Sequence, residues 1–203
     1  MILYIIRHGE TFSNAKKIVG DDNDSLNNEG IKNSEKLKKI FKKIKPDLVI
    51  SSPLRRAIET SKIIFKHNKE IIVSDLVQEK NLPSEIVGKK KKDWVVKNSI
   101  ELMEKNNISN PGWHLSDEEN FKDVERRVAL FVEYLNKNVE NTIVVVSHKY
   151  FIKALLFNFI VGYGKKYKKF VEFYKSVSID NCKITVCQKN KKWKVLKINS
   201  LCV

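Results

Sequence analysis

Met1-Ile2-Leu3-Tyr4-Ile5-Ile6-Arg7-His8-Gly9-Glu10-Thr11 occupies positions 1–11, and the junction at Arg7 decides how the rest of the chain is read. The apolar run Met1 to Ile6 suits a strand buried on both faces, and the change to charged and small residues takes one step. Ligands of an open α/β sheet bind at the carboxyl ends of its strands. Arg7 and His8 at such an end therefore predict an anion site with a candidate nucleophile. Arg-His pairs are common on surfaces, so the reading depends on whether distant segments end at the same place.

Several segments read as further strands and helices. Asp47-Leu48-Val49-Ile50 and Ile71-Ile72-Val73 read as short strands, and Thr142-Ile143-Val144-Val145-Val146 as the best central one. Gly30 precedes a helical pattern with Leu37, Ile40, Phe41 and Ile44 on one face, stopped by Pro46. Ser52-Pro53 predicts a helix start, with Ser as N-cap and Pro at the first helical position, and Ala57, Ser61 and Ile64 facing inward. Between Asp75 and Asn110 the pattern breaks up, apart from a helix from Trp94 to about Asn106; Pro111-Gly112 then turns the chain. Phe121, Val124, Val128, Phe131 and Leu135 repeat at helical steps. Ser147-His148 leads into an apolar helix through Ala154-Leu155-Leu156, and late strands are expected at Cys182 to Cys187 and Trp193 to Ile198. Strands alternating with helices imply βαβ units and a mostly parallel sheet.

Bulk properties bound the possibilities. A length of 203 residues suits one domain, residues 1–203, and 42% apolar content is ordinary for a soluble chain. The first apolar run is too short, and has no basic residue before it, for a secretory signal. The stretch Ala154 to Val161 is interrupted by Asn158 and too short to span a bilayer, so a cytoplasmic protein without a membrane partner is expected. Of three cysteines, Cys182 and Cys187 are five apart and would face opposite sides of one strand. With Cys202 they read as reduced thiols, and no histidine lies nearby at zinc-ligand spacing. Lys+Arg 39 against Asp+Glu 24 gives a formal charge of +15, which favours anionic partners. The lysines are dispersed, with one cluster at Lys89-Lys90-Lys91-Lys92 and no aromatic interleaving. A solvated basic face is the expectation, not a nucleic-acid partner, whose mark would be steeply salt-dependent retention on DNA or RNA.

Three strand ends carry pointed chemistry: Arg7-His8, then Ser51-Ser52 before Arg55-Arg56, then Ser147-His148. Parallel strands place these ends on one sheet edge, so two histidines and at least two arginines would share a pocket. With these residues in view, the chain resembles the histidine phosphatase superfamily, the phosphoglycerate mutase-like proteins. The resemblance rests on Arg7-His8-Gly9-Glu10-Thr11 with Asn14, on Ser52-Pro53-Leu54-Arg55-Arg56-Ala57-Ile58-Glu59-Thr60, and on Val144-Val145-Val146-Ser147-His148. Weaker agreement lies at Leu26 with Gly30, at Glu119-Asn120-Phe121 with Arg127, and at Asn181. It implies an α/β fold of three layers, a mostly parallel central sheet with helices on both faces.

The resemblance also implies roles. Phosphoryl transfer is chiefly positioning and electrostatics, and arginine offers a planar fork for phosphate oxygens. Arg7 and Arg56 would hold the phosphoryl group, with Asn14 as a further donor. His8 would be the nucleophile, forming a phosphohistidine, its pKa lowered by the neighbouring cations. His148 would contact the phosphoryl oxygens as charge develops. The general acid for the leaving alkoxide would be Glu79, in Leu76-Val77-Gln78-Glu79, with Glu85 as runner-up. No metal and no cofactor are implied.

Other motif residues carry plainer readings. Arg55 reads as a solvated or ion-paired helix residue, Glu10 as a loop-orienting group, Glu59 as exposed, and His67 and His114 as surface residues. Glu119 and Arg127 read equally as a structural pair or as pocket lining. Two features depart from the family pattern. Lys149 stands where many relatives have glycine, and a Pro83 segment with the lysine cluster replaces a glycine-rich stretch. The expected activity is hydrolysis of a small, anionic phosphorylated metabolite, by a monomer or homodimer. A cofactor-dependent phosphoglycerate mutase is the alternative, although the stretch between Glu79 and Glu119 is brief for the covering elements mutases carry. A non-catalytic phospho-ligand binder is the alternative of another class.

Overall fold

The computed structural model describes residues 1–65, 70–164 and 166–201. Its centre is a six-stranded sheet built from β1 (Ile2–Arg7), β2 (Leu48–Ser51), β3 (Ile71–Val73), β4 (Thr142–Ser147), β5 (Ile184–Lys189) and β6 (Trp193–Ser200), in the order β3-β2-β4-β1-β5-β6. β3, β2, β4 and β1 run parallel, while β5 and β6 add an antiparallel edge. The opening run is therefore an interior strand with a partner on each side, as its apolar character requires.

Side chains alternate across this sheet and build two cores. Leu3 and Ile5 of β1, with Ile143 and Val145 of β4, face α5 (Phe121–Lys137), α6 (Lys149–Val161) and α7 (Tyr167–Ser176). Ile6, Val144 and Val146 face α2 (Asn28–Ile44) and α3 (Arg55–Phe65), where Leu37, Phe41, Ala57 and Ile64 close the other core. The result is the three-layer arrangement expected. Cys187 lies in the first core and Cys182 in the second, both as free thiols on opposite faces, while Cys202 falls outside the described residues.

Several boundaries differ from the sequence reading, each for a local reason. The second helix starts at Asn28, not after Gly30, because Asn27 accepts from Gly30 N and caps it. The third starts at Arg55, where Leu54 O accepts from Ile58 N at 3.2 Å; Ser52 lies ahead of the helix, its hydroxyl accepting from Leu54 N at 3.3 Å and facing His148 at 2.7 Å. Cys182 precedes β5 in a left-handed turn at φ 54. The unpatterned stretch holds two short 3-10 turns, Asp75–Val77 and Ser84–Ile86, followed by α4 (Trp94–Ser109). Residues 84–91 are tied to the loop after α1 (Phe12–Lys16) by Val19 N to Lys89 O at 2.9 Å, Gly88 N to Val19 O at 2.8 Å and Lys91 N to Lys17 O at 2.8 Å. No helix among the described residues is long and apolar enough to cross a membrane.

Candidate active site

Arg7 and His8 leave the sheet under tight main-chain control. His8 N donates to Ser147 O at 2.9 Å, and Cys182 N donates to Arg7 O at 3.0 Å. The Asn181 amide donates to His8 O at 2.9 Å, to Gly9 O at 3.2 Å and to Asn14 Oδ1 at 3.2 Å. Gly9 N reaches Thr60 Oγ1 at 2.9 Å, which in turn donates to Arg56 O at 2.7 Å, so the first and second motifs are joined through one hydroxyl. Gly30 is required by close approach, since a Cβ there would stand 2.1 Å from Glu10 O.

His8 is 3% exposed, and its Nδ1 lies 2.7 Å from Gly9 O. A carbonyl only accepts, so Nδ1 carries the hydrogen and Nε2 keeps its lone pair. Burial first, then the Arg56 and Arg7 charges, hold the His8 pKa well below the usual histidine value. Desolvation is thus a larger cause than the cations to which the sequence points. His148 packs beside it with ring centroids 4.9 Å apart. Its Nε2 is 2.7 Å from Ser52 Oγ, while Nδ1 is buried without a partner among the described residues. Burial, then His8 and the two arginines, lower its pKa as well.

Arg7 and Arg56 are oriented by carbonyls, Arg7 Nη1 to Ile179 O at 2.8 Å and Arg56 Nη1 to Asp21 O at 2.7 Å. Arg7 Nε is buried with no partner among the described residues. Arg7, His8, Asn14, Arg56 and Glu79 line one cavity of about 780 Å³. His148 stands behind that wall, fully buried. Aromatic rings of Tyr150, Phe170 and Tyr174 form another part of the wall, with Lys80, Lys91 and Lys149 also on it.

Glu79 sits at the start of α6, where Oε1 accepts from Tyr150 N at 3.0 Å and from Phe151 N at 3.3 Å. Its backbone is held by Arg127, which donates to Gln78 O at 2.7 Å and to Glu79 O at 3.3 Å while pairing with Glu119 at 2.8 Å. Glu119 and Arg127 are thus the frame of the Glu79 segment. Glu85 is exposed, accepts from Ser116 Oγ at 3.0 Å and does not line the cavity.

The remaining motif residues are placed as follows. Arg55 pairs with Glu59 at 2.8 Å, and Glu10 accepts from the Asn27 amide at 2.6 Å. Glu59 is not the exposed residue expected: it is half-buried and accepts from Leu26 N at 2.9 Å, anchoring the loop before α2. His114 is at the surface, bonded to Glu118 O and the Asn120 amide; His67 lies outside the described residues. Of the lysine cluster, only Lys91 is on the cavity wall, and the loop carrying it is pinned rather than free. Ser52 as the partner of His148 was not legible in the sequence, since a serine after a strand carries no mark of a contact 96 positions away. Among the described residues, no group of three His, Cys, Asp or Glu side chains is placed to hold a metal ion.

The profile of the histidine phosphatase superfamily, branch 1, matches residues 3–200. A Hydrogenobacter thermophilus protein provisionally named phosphoserine phosphatase 2 is 28% identical over 204 residues, covering 98% of this chain and 96% of its own. Among solved structures, the α-ribazole phosphatase of Shigella flexneri superposes with a TM-score of 0.81 at 20% identity, covering 100% of this chain and 98% of its own. A mutant phosphoserine phosphatase of Entamoeba histolytica, solved with phosphoserine, gives 0.76 at 24% identity, covering 98% and 96%. These two likenesses establish the fold.

Proposed function

Because the chain belongs to the histidine phosphatase superfamily, we propose that His8 takes the phosphoryl group from a small phosphomonoester and yields it to water. The protein is a phosphatase of small phosphorylated metabolites, and residues 1–203 perform that hydrolysis as one domain. His8 Nε2 attacks phosphorus as the ester P–O bond breaks, giving a phosphohistidine and an alkoxide. Glu79 hands a proton to the departing oxygen and then takes one from the water that attacks the phosphohistidine, returning free His8 and inorganic phosphate. Arg7, Arg56, Asn14 and the Nδ1–H of His148 hold the phosphoryl oxygens throughout. Guanidinium charge serves here in place of a metal ion.

One observation carries this reading. Of the five buried side-chain atoms without a partner among the described residues, Arg7 Nε and His148 Nδ1 belong to the chain neighbour of His8 and to the ring packed against it. Buried polar groups are satisfied in nearly every fold, so two orphans beside a histidine with an available lone pair support the reading that an oxygen-rich anion binds there. The Ser52 hydroxyl lies 2.7 Å from His148 Nε2 and can donate to it, the arrangement in which Nδ1 carries the hydrogen and is the atom in need of an acceptor. The test is chemical trapping. Rapid alkaline quenching during turnover of p-nitrophenyl phosphate should leave a phosphoryl group on the peptide containing His8, and His8→Ala should release no phosphate while keeping its circular dichroism. Phosphate release by His8→Ala would falsify the covalent route.

A further inference from the structure

We propose that Lys91 and Lys149 form a second anion subsite, which selects phosphomonoesters whose leaving group carries its own carboxylate or phosphate. The inference rests on the phosphatase reading above and concerns the part of the cavity beyond the reacting phosphorus.

Both lysines are on the cavity wall with Arg7 and Glu79. Among the described residues, neither ammonium is within ion-pairing distance of a carboxylate, and Lys149 lies over the Tyr174 ring at 6.0 Å. The three cations are close enough to oppose one another. Desolvation first, then Arg7 and Lys149, weaken the hold of Lys91 on its proton, and Glu79 is the sole carboxylate acting against them. Glu79 is itself committed to the backbone of α6. Lys91 and Lys149, set against Arg7 at a cavity wall and without an ion-paired carboxylate of their own, are stabilised by an anion that arrives with the ligand.

Comparison with the neighbouring charges narrows the choice to these two. Lys80 also reaches the cavity, but Glu118, Glu119 and Glu79 offset it and its ammonium lies over the Tyr150 ring. Arg56 is balanced by Glu79 first, and then by Asp24, Asp22 and Asp21 on its own side. A phosphoryl dianion between Arg7 and Arg56 therefore leaves Lys91 and Lys149 as the uncompensated pair. Lys149 takes its position as the first residue of α6, next to His148, and Lys91 from the backbone pairing with Lys17. Neither placement depends on a flexible loop.

The experiment uses three esters on one carbon chain: propyl phosphate, 3-phosphooxypropanoate and propane-1,3-diol bisphosphate. The wild-type enzyme should show a kcat/KM about tenfold or more higher for a doubly anionic ester than for propyl phosphate, as a charge-assisted contact allows. Which of the two it favours identifies carboxylate or phosphate as the second group. In Lys91→Met/Lys149→Met that preference should vanish, chiefly through KM, and in Lys91→Arg/Lys149→Arg it should persist. A uniform loss on all three esters, or a preference untouched in the Met variant, overturns the subsite. Hydrolysis by the wild type without any preference overturns it alone, while failure to hydrolyse any of the three overturns the His8 reading along with it.

Discussion

At the scale of single residues, the choice between two glutamates has the sharpest consequence. Glu79 lines the cavity beside Arg7, whereas Glu85 is exposed and bonded to Ser116. We expect Glu79→Gln to slow hydrolysis about a hundredfold or more for alkyl phosphates, and much less for p-nitrophenyl phosphate, whose leaving group needs little protonation. Glu85→Gln should stay within about twofold on both; the reverse pattern would transfer the acid role. The residues that the motifs single out, Arg7, His8, Asn14, Arg56 and His148, do converge, because strand ends translate sequence position into a place on the sheet edge. The partners that orient them were less visible. Ser52, Thr60, Asn181 and Arg127 act through contacts spanning 48 to 173 positions, and no local pattern encodes such a contact.

Elements were legible in proportion to their regularity. β1, β4 and α5 follow from apolar periodicity alone, since each buries a continuous face. α3 begins later than Ser52-Pro53 signals, because the Ser52 hydroxyl closes a local turn with Leu54 N and faces His148 across the sheet edge ahead of the first helical residue. The stretch from Asp75 to Asn110 owes its shape to pairing with residues 17–19 and to Arg127, which no window of neighbouring residues contains. The tightest joint between elements is that of α2 with the loop after β1. In Gly30→Ala the new methyl would overlap Glu10 O at 2.1 Å, backbone against backbone, and neither side can rotate away. Destabilisation of about 3 kcal/mol or more is expected, read as a lower urea midpoint at unchanged m-value, with activity lost in parallel because the same loop carries His8. A midpoint within experimental error of wild type would show that α2 can shift without cost.

For the whole molecule, the two buried histidines govern the acid side of stability. Both have native pKa values well below the ordinary histidine value of about 6.5 expected when unfolded. The unfolded chain therefore binds more protons as pH falls below that value. Stability is complete well above about pH 6.5 and declines as pH falls through it, by up to about 1.4 kcal/mol per pH unit for each histidine. Urea unfolding at pH 7.5, 6.5 and 5.5 should show a loss of up to about 0.8 kcal/mol by the second and up to about 3 kcal/mol in all by the third. The drop should be about halved in His148→Gln. A wild type equally stable at all three would mean that these rings are protonated in the fold.

The pairing of residues 17–19 with residues 88–91 has a bearing on how such an enzyme could be re-targeted. Lys17 follows α1, which begins only four positions after His8, so the backbone that carries His8 is clasped directly to the backbone that carries Lys91. The rim and the reaction centre form one buckle. A substrate-facing loop grafted from a relative, even one with suitable side chains, would pull on the strap that holds His8 unless residues 17–19 were transplanted with it. Side-chain changes at positions 91 and 149 leave the buckle closed, and they are the route by which substrate preference can drift while the chemistry stays in place.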